Sequence, residues 1–176
     1  FSICCINFKY YFRLVKILAI QICLLLISII TSANDKEQIV GKWKVIRVNN
    51  GVQCDFQSGS TVITPELSRE FTGNPDSALI VAAFTGMAKK YSNYYFNFRK
   101  DNMYEEIMNG EVRNNLSVYY LMEEEHLIYM RQADSLNQLE QSMLYEFHKD
   151  GTLQLEINFN NRRLVLDLLK EEETSK

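Results

Sequence analysis

The chain has 176 residues and a formal net charge of −3, which suits a single domain with or without a short appendage. Hydrophobic residues make up 47% of the chain and charged residues 23%. This balance predicts a packed core and excludes wholesale disorder. The sequence pI of about 5.5 argues against a nucleic-acid-binding protein, because such proteins present a strongly basic face to the phosphates.

Residues 1–33 have the pattern of a secretory signal peptide. No Asp or Glu precedes Asp35, and three basic residues stand before an apolar stretch from Ile17 to Ile30 and a small-residue exit that ends at Ala33. A positive start, an apolar middle and small residues at the exit are typical of a cleaved signal. The apolar stretch is shorter than the about 20 residues of a membrane-spanning helix. We therefore expect cleavage after Ala33, a single folded domain over residues 34–176, a secreted or periplasmic location and no membrane span in the mature part.

The basic part of this leader is unusually long, and the chain opens on Phe1 rather than Met. One interpretation therefore places the true start further in, near Leu14. Three of the four cysteines precede Ala33, so Cys54 alone stays in the expected mature chain. No intramolecular disulfide is expected there, despite the oxidising destination. We expect Cys54 to be buried, as free cysteines usually are, and pairing with a second chain is the alternative.

The remaining sequence predicts a mainly β protein. Apolar residues alternate with period two from Tyr94 to Leu169, and turn signals such as Asn109-Gly110 and Lys149-Asp150-Gly151 interrupt them. With an opening strand from about Val40 to Val48, the predicted count is eight. Eight successive antiparallel strands predict an up-and-down barrel, because closure removes both exposed edges. A barrel of this size is either filled by its side chains or holds one small ligand.

A helical insert is predicted between the first and second strands. Thr64-Pro65 and Asn74-Pro75 each place a capping residue before a proline, which is a typical helix start. They predict a short turn over 65–71 and a helix over 75–90. The second helix is apolar on almost all sides from Ala78 to Met87, so we expect it to be covered on more than one side. It either covers the open end of the barrel or packs along the outer wall.

Gly41-Lys42-Trp43, near the start of the first strand, resembles the G-x-W signature of lipocalins. In that family the Trp packs across the closed end of the barrel, and an Arg near the chain's end stacks over its ring. The resemblance therefore implies that Gly41 and Trp43 close the barrel together with Arg162 or Arg163 of the last predicted strand. A guanidinium over an indole combines cation–π attraction with burial.

The resemblance covers about Ile39 to Leu169 and implies a small exported bacterial lipocalin-like domain of the calycin superfamily. The sequence departs from the lipocalin pattern in three respects: it has no second family motif, no family disulfide and no helix after the eighth strand. The helical insert is similar to the lid of fatty-acid-binding proteins, which belong to the same superfamily.

The sequence contains no residue pattern that indicates catalysis, a metal or a cofactor. His126 and His148 lie on adjacent predicted strands about 13 Å apart, which is too far for shared metal ligation. Glu123, Glu124 and Glu125 predict a solvated turn. Glu105 and Glu106 are consecutive on a strand and so point to opposite faces, whereas acid–base catalysis needs two carboxylates in one cleft. We expect a protein that is not an enzyme.

Two functions stay open. The first is a binding protein that holds one small apolar or amphipathic ligand inside the barrel, under the helical insert. The predicted cavity combines apolar side chains with tyrosines, which suits such a ligand, and its lining residues are Leu79, Phe84, Phe96, Met103, Tyr120, Tyr129, Met143 and Leu155. The second is a structural or protein-interaction barrel whose interior is filled by its own large side chains and holds no ligand.

Overall fold

The computed structural model describes residues 34–132, 140–159 and 162–172. The predicted signal peptide, its cleavage site and the proposed start near Leu14 lie outside the described residues. The chain divides into two compact units, Phe1–Gln38 and Ile39–Lys176. The barrel belongs to the second unit.

The described residues contain three α-helices and ten β-strands. The helices are α1 (Asp35–Ile39), α2 (Pro65–Glu70) and α3 (Ser77–Lys89). The strands are β1 (Gly41–Asn49), β2 (Val52–Asp55), β3 (Thr61–Ile63), β4 (Tyr94–Phe98), β5 (Met103–Met108), β6 (Glu111–Met122), β7 (Leu127–Gln132), β8 (Glu140–Phe147), β9 (Thr152–Phe159) and β10 (Arg162–Lys170). Two short 3₁₀ turns, Lys90–Asn93 and Glu123–Glu125, precede β4 and β7.

Eight of the ten described strands close a barrel. The sheet runs in the order β10–β9–β8–β7–β6–β5–β4–β1, and β10 also pairs with β1. Every one of these pairings is antiparallel. The prediction of a mainly β, eight-stranded antiparallel barrel is therefore confirmed.

The segment after β1 differs from the prediction. A hairpin of β2 and β3 follows β1 directly, and α2 and α3 come only after β3. The expected helical insert between the first two strands is therefore corrected to a strand hairpin followed by helices. The hairpin was missed because strands of four and three residues are too short to produce a recognisable alternation.

Both helices begin close to their proline signals. The hydroxyl of Thr64 accepts a hydrogen bond from the Leu67 amide at 3.3 Å, and Pro65 is the first residue of α2. The longer helix starts at Ser77 rather than at Pro75. Its N-cap, Asp76, makes no side-chain capping bond, so the local sequence positions this helix start only loosely.

The barrel has two distinct ends, which we call the Trp43 end and the helix end. At the Trp43 end, the start of β1 pairs with the end of β10. At the helix end, the start of β10 lies beside the two helices, where Arg162 forms an ion pair with Glu70 of α2 at 3.2 Å. The Arg162 guanidinium also lies 4.7 Å from the ring centroid of Phe84 in α3. The helices therefore pack at the end of the barrel opposite Trp43.

Helix α3 buries one side only. Val81 and Phe84 pack against the core and Ala88 is fully buried. On the opposite side, Leu79 is 71% exposed and Met87 is 47% exposed. The expectation that this apolar helix is covered on more than one side was wrong within the described residues.

Candidate functional site

Trp43 is buried at one end of the barrel, where the start of β1 pairs with the end of β10. Its ring is 2% exposed, and its indole Nε1–H donates a hydrogen bond to the carbonyl oxygen of Ile39 at 2.7 Å. The Phe147 ring lies 6.1 Å away, measured between centroids. A buried indole needs a partner for its N–H, and here the backbone just before β1 provides it.

The cation beside Trp43 is a lysine. Lys170 Nζ lies 5.3 Å from the Trp43 ring, and these two residues are register partners in the β1–β10 ladder. Gly41 makes this approach possible, because a Cβ at position 41 would lie 2.5 Å from Lys170 Cε. Its backbone φ of +136° also favours glycine.

Arg162 and Arg163 do not occupy the position that the resemblance implied. Arg162 pairs with Glu70 at the helix end, and Arg163 forms an ion pair with Glu156 at 2.5 Å. The physical reason is the antiparallel direction of β10. Its last residue, and not its first, lies beside the start of β1.

The predicted cavity residues fall into three groups. Phe96, Met143 and Leu155 are buried in the core at 2% exposure or less. Phe84, Met103 and Tyr129 are partly buried. Leu79 and Tyr120 are 71% and 53% exposed, so neither side chain lines the interior.

The predicted alternation is displaced by one residue in β5, β6 and β7. The buried residues described in these strands are Tyr104, Ser117, Tyr119, Ile128 and Met130, whereas the predicted lining used Met103, Tyr120 and Tyr129. Successive side chains point to opposite faces, so a displacement of one residue moves a whole set from one face to the other. Both alternate sets contain apolar residues here, and the pattern alone therefore did not decide between them.

Because Tyr104 faces the interior, Glu106 lies on the inner face of the barrel as well, two positions further along β5. Glu106 pairs in register with Phe96 of β4, which is 2% exposed. Its neighbour Glu105 faces the other way, where it accepts hydrogen bonds from Asn97 at 2.7 Å and Arg99 at 3.1 Å. The prediction that these two glutamates lie on opposite faces is confirmed.

Two tyrosines bind Glu106 and a third packs against one of them, and we call Tyr91, Tyr94, Tyr104 and Glu106 the tyrosine–glutamate cluster. The Tyr104 hydroxyl donates a hydrogen bond to Oε1 of Glu106 at 2.6 Å. The Tyr94 hydroxyl donates a very short hydrogen bond to the other carboxylate oxygen. The Tyr91 ring lies against that of Tyr94, with 5.1 Å between centroids.

The cluster lies towards the helix end. Tyr91 belongs to the 3₁₀ turn that follows α3, and Tyr94 is the first residue of β4. Glu106 is near the end of β5, just before the turn whose Asn109 amide donates to the Asn93 carbonyl at 3.0 Å. Tyr91, Tyr94 and Glu106 are partly buried, whereas Tyr104 is 1% exposed. The cluster therefore stands where the fully buried core ends.

Aromatic rings connect the cluster to the core. The Phe96 ring centroid lies 5.3 Å from that of Tyr94 and 6.1 Å from that of Tyr104. Phe98 continues the series, 5.3 Å from Tyr104 and 5.2 Å from Tyr119. Tilted and edge-to-face pairs at such distances are favourable, so the tyrosines that bind the carboxylate pack against the aromatic rings of the core.

The hydroxyls of the cluster keep their protons at neutral pH. Burial, followed by the charge of Glu106 and its hydrogen bond, raises the pKa of Tyr104 well above its usual value. The pKa of Tyr94 is raised by burial and by its hydrogen bond to Glu106, and the pKa of Tyr91 by burial and the Glu106 charge. Tyr94 and Tyr104 therefore act as fixed hydrogen-bond donors to the carboxylate.

Described residues of the barrel unit line surface hollows, and two of these have volumes of several hundred Å³. One, of about 800 Å³, is lined by residues that include Lys44, Cys54, Ser60, Lys89 and Lys170. The other, of about 400 Å³, lies at the helix end between α2 and the start of β10, and its lining includes Leu67, Glu70, Arg162 and Arg163. Neither hollow has a lining that includes the tyrosine–glutamate cluster.

The cysteine and the two histidines singled out in the sequence make ordinary packing and polar contacts. Cys54 is 2% exposed, with its sulfur 3.8 Å from the Thr61 hydroxyl, so its predicted burial is confirmed. His126 packs edge-on against Tyr145, with 5.7 Å between centroids, and His148 lies 3.9 Å from Glu146. Within the described part of the chain, no group of three or more metal-ligating side chains occurs, and no helix is long and apolar enough to cross a membrane.

No protein-family model matches the chain, and no curated protein matches it. The barrel and the side chains at its helix end are therefore the features that bear on function.

Proposed function

We propose that the chain is an exported, lipocalin-like binding protein that holds one small apolar or amphipathic ligand at the helix end of its barrel. The observation that carries this proposal is the tyrosine–glutamate cluster, which presents a partly buried carboxylate and aromatic rings where the packed core ends. Ligand sites typically combine an apolar lining with a few oriented polar groups. The barrel closure and the burial of Trp43 at the opposite end support the lipocalin-like assignment.

The packed core restricts the ligand to the helix end. Trp43, Phe98, Tyr104 and Tyr119 are each 2% exposed or less, so these side chains already fill the barrel near them. The same burial favours the second candidate, a structural or interaction barrel without a ligand. The two candidates differ at the cluster, which is a binding site in the first and a buried structural feature in the second.

Binding agrees better than catalysis with the chemistry of the cluster. General acid–base catalysis needs groups that exchange protons near the working pH. Burial raises the pKa of Tyr94 and Tyr104, so their hydroxyls stay protonated and hold the Glu106 carboxylate in place. We therefore assign no catalytic residue.

A co-purified molecule would identify the function directly. The protein is purified without denaturant, extracted with organic solvent and analysed by mass spectrometry. A small molecule present in stoichiometric amount is the expected result for a binding protein. The neutral dye Nile red then serves as a probe of the apolar site in the emptied protein.

Two variants test whether Nile red binds at the tyrosine–glutamate cluster. Tyr91→Ala removes a ring of the cluster and is expected to weaken Nile red binding about tenfold. Tyr120→Ala is the matched control, because Tyr120 is 53% exposed on the outer face, and it is expected to leave binding unchanged. Circular dichroism checks that both variants fold. Absence of a co-purified molecule together with absence of dye binding would favour the filled barrel.

Export is the second part of the proposal, and the pattern of residues 1–33 supports it. A full-length chain with a C-terminal tag is expressed, the cells are fractionated, and the intact mass of the tagged product is measured. An N-terminus at Asn34 in the secreted or periplasmic fraction is expected. Recovery of the uncleaved chain in the cytoplasm would overturn this part alone.

A further inference from the structure

We propose that the ligand carries a cationic ammonium group, and that Glu106 binds this group together with the rings of Tyr91 and Tyr94. This inference rests on the proposed binding function and specifies its ligand class. It predicts a preference for cations over neutral molecules and over carboxylates of the same chain length.

The charge of the Glu106 carboxylate favours a cationic ligand. None of the ion pairs among the described side chains includes Glu106. Its two hydrogen-bond partners, Tyr94 and Tyr104, are neutral. The positive charge of Arg113 acts to lower the pKa of Tyr94, but the Arg113 guanidinium forms its ion pair with Glu111 at 3.1 Å. The two neutral hydroxyls hold the partly buried carboxylate by hydrogen bonds but do not balance its charge, and a ligand cation would supply the opposite charge.

The hydrogen-bonding capacity of the Glu106 carboxylate also favours a cationic ligand. An ionised carboxylate offers about four acceptor positions, and the two tyrosine hydroxyls occupy two of them. The remaining positions suit the N–H groups of an ammonium ion, and charge-assisted bonds of this kind are among the strongest in proteins. An anionic headgroup would be repelled by the negative charge of Glu106. It would also lack donors, because the Tyr94 and Tyr104 hydroxyls already donate to Glu106.

The aromatic rings of the cluster are arranged in a way that suits a cation. The Tyr91 and Tyr94 rings are tilted at 47° with centroids 5.1 Å apart, and Tyr94 and Phe96 are tilted at 48° with centroids 5.3 Å apart. Ring faces attract a cation within about 6 Å. A carboxylate beside several aromatic rings is therefore a suitable environment for a compact ammonium group with an apolar substituent.

The test compares three probes that share one tail. Octylammonium, octanol and octanoate are titrated into the full protein by isothermal calorimetry at low ionic strength. Octylammonium is expected to bind at least tenfold more tightly than octanol, and octanoate is expected to bind most weakly. The salt dependence of octylammonium binding gives a second readout of the ion pair.

Glu106→Gln and Glu105→Gln form a matched pair on adjacent positions of β5. Glu106→Gln keeps the size of the side chain and removes its charge, so it is expected to weaken octylammonium binding about tenfold or more. It leaves octanol binding within about twofold, since octanol makes no ion pair. Glu105→Gln removes a charge from the outer face and is expected to change neither affinity.

The outcomes separate the two proposals. If octanol and octylammonium bind equally to the wild type, or if Glu106→Gln leaves octylammonium binding unchanged, the cationic ligand is excluded and the binding function stands. If none of the three probes binds, the proposed function itself fails. If Glu106→Gln does not fold, Tyr91→Leu replaces it: this variant keeps apolar contact and removes a π face, so a selective loss of octylammonium binding is expected. An equal loss for octanol would contradict the inference.

Discussion

Replacing Trp43 by alanine tests whether the barrel is closed by a buried indole. The ring is 2% exposed, and a buried aromatic side chain removes about 150–250 Å² from water. At about 25 cal/mol per Å² this burial corresponds to at most about 4–6 kcal/mol. Measured replacements of buried aromatic residues by alanine cost about 3–5 kcal/mol, so we expect a loss in that range for Trp43→Ala.

The hydrogen bond of the indole contributes to this loss. Trp43→Ala also leaves the carbonyl of Ile39 without its indole partner, at a fully buried position. Trp43→Phe keeps a ring and removes only the N–H donor and part of the volume. We therefore expect a smaller loss for Trp43→Phe, about 1–3 kcal/mol.

The free energy of unfolding is measured in urea by far-ultraviolet circular dichroism. The chain contains a single Trp, so its fluorescence is lost in both variants and does not serve as the common signal. Tyr120→Ala is the control, because this exposed aromatic residue is expected to change stability by less than about 1 kcal/mol. A loss below about 1 kcal/mol for Trp43→Ala would refute the placement of Trp43 in a closed barrel end.

Three further predictions concern other parts of the barrel. Gly41→Ala is expected to cost about 1–3 kcal/mol in thermal unfolding, because a backbone φ of +136° strains alanine, while the flexible end of Lys170 can move away from the new Cβ; an unchanged melting temperature would contradict this. Tyr94 and Tyr104 have pKa values raised above 10.0 in the folded protein, so their stabilising contribution is complete below pH 10 and is lost as the pH rises above it. Ultraviolet titration is expected to show their ionisation only as the protein unfolds, and ionisation of every tyrosine near pH 10 in the folded state would be inconsistent. Cys54 is 2% exposed and is expected to react with iodoacetamide in urea but not in native buffer, as read by peptide mapping; rapid native labelling would exclude its burial.

The strands that the sequence predicted well are those with one clearly apolar face. In β9, Leu153, Leu155 and Ile157 are buried, while Gln154 and Glu156 on the other face are only partly buried. A strand with this contrast has one possible orientation relative to the core. The predicted alternation in β4, with Phe96 and Phe98 on the buried face, agrees with the structure for the same reason.

The candidate site was harder to predict. In β5, Met103 and Ile107 alternate as regularly as Tyr104 and Met108, and the pattern therefore allowed either face to point inwards. Choosing the first set placed Glu106 outside the barrel. The structure buries Tyr104 and brings Glu106 beside Tyr94. This arrangement depends on the register between β4 and β5, which the sequence of β5 alone does not specify.

The sequence by itself determined the barrel class, the turns between strands and the apolar character of α3, because periodicity and turn chemistry are local properties of the chain. Tertiary structure alone decided which face of β5 points inwards and that Lys170 rather than Arg162 or Arg163 lies beside Trp43. It also decided that two tyrosine hydroxyls meet at one carboxylate, with a third tyrosine ring beside them. These features depend on the register between strands and on the closure of β10 against β1. Register is set by the packing of the whole barrel, since a shift of one residue exchanges the two faces of a strand.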